Sequence, residues 1–376
     1  MRSFSNGWVV AEELQRLGLK PTILPNDDGT KANLVVTIPA HDGRTDGGIA
    51  LSGHTDAVPV DGQRWDSDPF TAQVRGGRLY GRGTSDMKSF IGVTLAALPA
   101  LARTPLREPV HLLLSYDEEI GCGGAERMVK DLARLDVHPT VCIVGEPTGM
   151  RVVAGHKSIN VLQLTVHGVA THSSLTPQGL NAIEYASRAV VFIQSLADEF
   201  RDQGPYDAAY EVPYTTASVN RITGGTAENI VADRCRIEFE FRSISSVNPD
   251  DVRARIQTFC EDLQMEMGRK NSQARIGLRS RATVPGLETS GASPAVALGA
   301  LLGGEPSTAK VTFGTEGGLF QAAGIETVVC GPGNIQQAHT ANEFIELDQI
   351  RACKALMDRL LDHLSTAPTA PDGAAR

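Results

Sequence analysis

Gly48-Ile49-Ala50-Leu51-Ser52-Gly53-His54-Thr55-Asp56 decides the fold. Its first half, Gly48 to Ser52, is an apolar run of strand length, the pattern of a strand covered on both faces. An imidazole and a carboxylate follow, two residues apart. Two further runs repeat the design. Val110-His111-Leu112-Leu113-Leu114-Ser115 leads into Tyr116-Asp117-Glu118-Glu119, and Thr140-Val141-Cys142-Ile143-Val144 leads into Gly145-Glu146-Pro147-Thr148. Open α/β sheets build their sites beyond the C-terminal ends of such strands. The expected fold is therefore α/β, with a mainly parallel sheet carrying a polar site at one end.

Working outward, Asp86 closes Gly81-Arg82-Gly83-Thr84-Ser85-Asp86, and His339 sits in Gln337-Ala338-His339-Thr340. Carboxylates and neutral imidazoles suit Zn²⁺, Co²⁺ or Mn²⁺. One carboxylate can lie between two such ions. On an extended chain Asp56 falls on the same face as His54, where it can accept the other imidazole N–H and fix the tautomer. Glu118 and Glu119 point to opposite sides, so one can hold metal while the other moves a proton. A lone His-x-Asp or Glu-Glu pair is usually a solvated surface feature. Several of them at the ends of apolar strands need partners, because an unpaired buried carboxylate is costly.

The length of 376 residues points to two domains. Trp8 to Leu17 reads as an amphipathic helix with Ser5 or Asn6 as its cap. Strands and helices then alternate to about Glu146, including a helix over Phe90 to Leu101. From Ile159 the order changes. Val161 to Val166 is a strand, Asn181 to Phe200 a helix, Thr216 to Ile222 and Cys235 to Phe241 strands, Asp250 to Leu263 a helix, and Ala274 to Ser280 a last strand. That βαββαβ order is ferredoxin-like. His339 follows it, so the unit is inserted within the metal-binding domain. The expected division is 1–158 and 285–365 for the metal-binding domain, 159–284 for the insert, and a disordered tail over 366–376 rich in Ala, Pro, Thr and Gly.

A net charge of −9 argues against a nucleic-acid partner. The six cysteines lack CxxC spacing and read as small buried hydrophobes, with Cys122 most simply a filler beside the glutamate pair. Neither a signal peptide nor a membrane span is visible, so a cytoplasmic protein without membrane contact is expected.

Leu51-Ser52-Gly53-His54-Thr55-Asp56, Gly155-His156-Lys157, Phe313-Gly314-Thr315-Glu316-Gly317-Gly318 and Cys330-Gly331-Pro332-Gly333-Asn334-Ile335 carry a resemblance. From about Ser5 to about Leu361 the chain resembles the two-metal deacylase and carboxypeptidase family. That family includes acetylornithine deacetylase, succinyl-diaminopimelate desuccinylase, aminoacylase and glutamate carboxypeptidase; the acetylornithine deacetylase branch is nearest. The resemblance implies two divalent ions, Zn²⁺ or Co²⁺. His54 and Glu146 would hold one, Glu119 and His339 the other, with Asp86 between them. Glu118 would be the general base and Asp56 would orient His54. It also implies a cis peptide between Asp86 and Met87, and a homodimer through the insert. His172 would then enter the partner's site and steady an oxyanion, Asn229 and Arg242 would reach the substrate, and Lys157 and Thr315 would join the substrate contacts.

The implied reaction is hydrolysis of N2-acetyl-L-ornithine to L-ornithine and acetate, a step of arginine biosynthesis. The alternative is another N-acyl amino acid or dipeptide, as in a desuccinylase or an aminoacylase. Leu319 stands where desuccinylases carry an arginine, which argues against a succinyl group. A non-catalytic binding protein on this scaffold would need neither Glu118 nor a full ligand set. The chain departs from the family in two further ways. Ser158 replaces the glycine usual after Gly-His-Lys, and the family's additional element before Ser5-Asn6 leads to the expectation of a late start.

Overall fold

The structure is a computed structural model that describes residues 3–366, with side chains described from residue 9. Of the expected disordered tail, 366–376, all but Thr366 lies outside the described residues. The chain forms two compact units. The first comprises Met1–Gly155, Glu288–Thr308 and Thr315–Arg376, and the second His156–Leu287 with Ala309–Gly314.

In chain order the first unit supplies α1 (Ser3–Arg16), β1 (Thr22–Pro25), β2 (Ala32–Ile38), β3 (Ile49–His54), α2 (Ser89–Arg103), β4 (Val110–Ser115), α3 (Gly123–Arg134) and β5 (Val141–Pro147). The second unit adds β6 (Ile159–His167), α4 (Ala182–Gln203), β7 (Thr216–Gly224), β8 (Arg234–Arg242), α5 (Pro249–Lys270) and β9 (Arg275–Val284). The chain then returns through α6 (Pro294–Leu301), α7 (Gly317–Ala322), β10 (Glu326–Gly331) and α8 (Leu347–Leu364). Ser5 and Asn6, expected as caps, lie inside α1, which starts at Ser3.

The six-stranded sheet runs β1-β2-β4-β3-β5-β10. β4, β3, β5 and β10 are parallel, while β2 pairs antiparallel with β4 and β1 with β2. Every residue of β3, β4 and β5 is buried, because helices cover both faces. The core joins Leu51 and Ile143 of the sheet to Phe90 and Leu98 of α2 and to Leu356 and Leu360 of α8. Burying each such side chain contributes roughly 1.5–3 kcal/mol. Gly145 permits this packing: a Cβ there would lie 2.0 Å from the Phe90 ring. Only glycine lets α2 approach the strand immediately before Glu146.

In the second unit the sheet order is β7-β8-β6-β9, with every pairing antiparallel. Alternate residues of β8, from Cys235 through Ile237 and Phe239 to Phe241, are buried against α4 and α5. Each helix starts on an asparagine cap: Asn181 accepts from the Ile183 amide and Asn248 from the Asp250 amide. α5 continues to Lys270, past the expected end at Leu263. Ala309–Gly314 belongs to this unit, where Lys310 N donates to Ala209 O at 2.9 Å and its ammonium lies 2.8 Å from Asp207.

Candidate metal centre

Strand register gathers the site. His54 is the last residue of β3 and pairs with Ser115, the last of β4, so Glu118 and Glu119 emerge beside it. Ser52 pairs with Val144 of β5, which places Glu146 two residues further along. Asp86 arrives on the turn Thr84–Lys88, whose Asp86–Met87 peptide is cis. His339 comes from the loop before α8, with its backbone in the left-handed region at φ 60°.

The two oxygens of Asp86 face different imidazoles. Oδ1 lies 2.8 Å from His54 Nε2, and Oδ2 lies 3.2 Å from His339 Nε2. Glu146 Oε1 is 3.6 Å from the same His54 nitrogen, and Glu119 Oε2 is 3.0 Å from the same His339 nitrogen. Each half thus offers one imidazole, one carboxylate of its own and one oxygen of Asp86. Three protein ligands to an ion is the number found at catalytic zinc-type sites. Glu119 Oε1 is buried without a hydrogen-bond partner. Four carboxylates crowd two imidazoles here, a set that cations complete. The residues therefore fit two divalent ions.

The electrostatics agree. Burial pushes Glu118 up to about 8, with Asp86 and Glu119 adding to the rise. Burial and the Asp86 charge also push Glu146 well above the carboxylate range. Burial works against a charged His54, yet Asp56, Asp86 and Glu146 together hold it well above an ordinary histidine. His339 is pushed up to about 10, chiefly by Asp86 and then Glu119. The site favours positive charge at both imidazoles.

Asp56 does more than the sequence suggests. Its Oδ1 lies 3.4 Å from His54 Nδ1. It also accepts from the Glu118 amide at 3.3 Å and, through Oδ2, from the Glu119 amide at 3.2 Å. Lys88 holds the same segment by donating to the carbonyls of Thr55 and Asp56 at 2.5 and 3.2 Å. Cys122 is more than filler: its thiol lies 3.4 Å from Glu118 Oε1.

Four residues of this unit escape the sequence reading. Glu316 is fully buried and accepts from Ser52 Oγ and Ser115 Oγ, both at 2.6 Å. Burial raises its pKa. Arg82, Glu343 and Gln63 form a network beneath Asp86 and His339. Arg82 had a signal in its flanking glycines; Gln63 and Glu343 sit in polar loops without one. A cavity of about 1410 Å³ between α2 and α8 reaches Thr55 and Asp56 but touches none of the five candidate ligands or Glu118.

Thr315 lies just before α7. It is fully buried, and its hydroxyl accepts from Gly317 N at the start of α7. In the second unit Lys157 is likewise buried, with its ammonium 2.5 Å from Tyr214 O. Burial, aided by Arg242, pushes it down to about 8. Both side chains thus make internal hydrogen bonds. Arg242 pairs with Glu240 on its own strand through two hydrogen bonds, at 3.1 and 3.3 Å. His172 is exposed and accepts from the Ser174 amide through Nδ1 at 3.2 Å. Asn229 lies beside it, its carbonyl accepting from Ser173 N at 3.0 Å. Ser158, the departure from glycine, binds Ser243 N and Asn160 through its hydroxyl, so it ties β6 to the end of β8.

The sequence profile of peptidase family M20/M25/M40 matches residues 50–363. Acetylornithine deacetylase from Pasteurella multocida (strain Pm70) is 31% identical over 360 residues, covering 95% of this chain and 90% of that protein. The enzyme of that name from Proteus mirabilis (strain HI4320) is 31% identical over 364 residues, covering 96% and 90%. A family M20 metallo-carboxypeptidase from Sulfolobus solfataricus superposes with a TM-score of 0.71 at 20% identity, covering 95% of this chain and 92% of that one. The YXEP protein of Bacillus subtilis, a dinuclear metal-binding peptidase, superposes with a TM-score of 0.62 at 16% identity, covering 97% and 93%. Among the described residues no helix is long and apolar enough to cross a membrane. With His54, Asp86, Glu118, Glu119 and Glu146 clustered at the strand ends and a profile match over most of its length, the chain belongs to peptidase family M20/M25/M40 and is a metal-dependent hydrolase.

Proposed function

We propose that the enzyme removes the acetyl group from N2-acetyl-L-ornithine. The observation that carries the chemistry is the division of Asp86 between two histidines. The substrate rests on the relatives that share 31% identity over 95% of the chain. His54 and Glu146 would hold one ion, His339 and Glu119 the other, and Asp86 would serve both. The ions, Zn²⁺ or Co²⁺, would polarise the amide carbonyl and lower the pKa of attacking water. Glu118, half-buried within the same cluster, takes the proton from that water and passes it to the leaving amine. Asp56 keeps His54 oriented and fixes the amides of both glutamates. Arg242 would meet the substrate carboxylate with a guanidinium fork, which requires it to leave Glu240, and Asn229 would reach the substrate from the His172 loop. A kinetic comparison of acetylornithine, succinyl-diaminopimelate, acetylmethionine and acetylcitrulline tests this reading. The highest kcat/KM is expected for acetylornithine, and a clearly higher value for any other substrate replaces the assignment.

The protein is further read as a cytoplasmic homodimer joined through the inserted unit, in which His172 steadies the oxyanion of the partner's site. What supports this is an exposed histidine on a unit with no candidate metal ligand. Mixing inactive His172→Ala and Glu118→Gln proteins under subunit exchange should restore activity, because one site of each mixed dimer then carries neither lesion. No recovery despite proven exchange leaves His172 an ordinary loop residue.

A further inference from the structure

His339 is the weakly supported member of the cluster. Its side chain is 49% exposed, where His54 is fully buried. It stands on no strand, and its backbone and that of Asn342 lie in the left-handed region, at φ 60° and 57°. Non-glycine residues hold that conformation only where their surroundings impose it. The surroundings here are specific. Gln63 Nε2 donates to the His339 carbonyl at 3.0 Å. Arg82 Nη1 donates to the Thr340 carbonyl at 3.3 Å. Arg82 Nη2 donates to Gln63 Oε1 at 2.5 Å, and Trp65 Nε1 reaches the same oxygen at 3.2 Å. Arg82 thereby joins the two contacts that grip the loop.

Arg82 is itself anchored. Its Nη1 meets Glu343 Oε2 at 2.7 Å, and both side chains are 1% exposed. Glu343 Oε1 accepts from the Ser85 amide at 2.9 Å and the Asp86 amide at 3.2 Å. One carboxylate therefore fixes the backbone of Asp86 and the guanidinium that fixes the loop of His339. Both oxygens of the buried Glu343 carboxylate and both terminal nitrogens of Arg82 are engaged in this way, and a departure would leave charge unpaired.

The geometry points to Gln63 and Arg82 as positioning residues for the ion held by His339 and Glu119, set apart from the ion held by His54 and Glu146. The inference rests on the metal-centre reading above. Groups that orient a ligand from behind typically change metal affinity by about 10–100-fold when removed. The other half of the centre stands on β3 and β5, which Gln63 and Arg82 do not touch by hydrogen bond. Loss of Gln63, or of the Arg82 fork with its charge against Glu343 kept, should loosen one ion and spare its neighbour.

The test is a calorimetric titration of the metal-free, full-length protein with Co²⁺, with the visible absorption of bound cobalt followed in parallel. Wild type should take up two ions in two steps, and His339→Ala identifies its own step by losing it. Gln63→Ala should raise the Kd of that step by about 10–100-fold and leave the other within about twofold. Arg82→Lys keeps a positive charge against Glu343 but cannot reach Gln63 and Thr340 together, so it should move the same step. Equal weakening of both steps, or no change in the His339 step, overturns the inference while wild type still binds two ions. A wild-type protein that takes up fewer than two ions overturns the metal-centre reading, and this inference with it.

Discussion

The two halves of the candidate metal centre offer the same side-chain types on different supports. His54 and Glu146 end adjacent parallel strands, and both side chains are nearly inaccessible. Their positions follow from sheet register, which the hydrophobic core enforces. His339 stands on a strained loop and is half exposed, and its partner Glu119 follows the end of a strand by four residues. Polar contacts from Gln63 and Arg82 do there what strand pairing does for His54. A centre built this way would hold one ion through the fold and the other through a hydrogen-bond network.

The largest expected effect separates chemistry from binding. Glu118→Gln should keep both ions and lose about 10²–10⁴-fold in kcat, since the amide cannot accept a proton. Glu119→Gln should give up one ion instead. Metal analysis beside kinetics checks this, and equal metal content in the two variants would show that the roles are misassigned.

The next effect concerns stability. In chelator, His54→Ala should lower the unfolding free energy by about 3–5 kcal/mol, because it strips the partner from buried carboxylates. His339→Ala should cost less, since its imidazole is 49% exposed and water can fill the place it leaves beside Asp86 and Glu119. Urea unfolding measures both, and similar losses would erase the contrast between the halves.

Glu343→Gln sharpens the comparison further. Its carboxylate holds the Asp86 backbone, and Asp86 serves both sides, so both cobalt-binding steps should weaken by about 10–100-fold. A change confined to one step would mean that Asp86 does not sit between two ions.

The smallest effect lies outside the centre. Lys157 has a folded pKa of about 8 against 10.5 for an unperturbed lysine. The unfolded chain therefore binds more protons between these values, and the Lys157 contribution to stability should rise with pH from about 8 to about 10.5. Chemical denaturation of wild type and Lys157→Met across that window should show wild type gaining on the variant. Parallel curves would place the ammonium in a solvated setting.

The strands that carry His54, Glu118, Glu119 and Glu146 were legible because a strand buried on both faces must be apolar throughout. A carboxylate at its end then stands out. The βαββαβ unit was legible from alternation such as that of Cys235 to Phe241. Element ends were less so: α5 continues beyond Leu263 because Met267 still finds the core. The inward placement of Lys157 and Thr315 carries no sequence signal, since a lysine is ordinarily exposed.

Sequence by itself determined the fold class, the candidate ligand types and their order along the chain. Periodicity and burial act locally, and the chemistry of carboxylate and imidazole does not depend on position. Tertiary structure alone decided which oxygen of Asp86 faces which histidine. It also decided that Glu316 is enclosed by two serines, and that Glu343, 257 residues from Asp86, holds its backbone. Those facts depend on distances between segments remote in the chain. Packing of the whole molecule sets such distances, and a polar residue in a loop does not announce the partner it will meet.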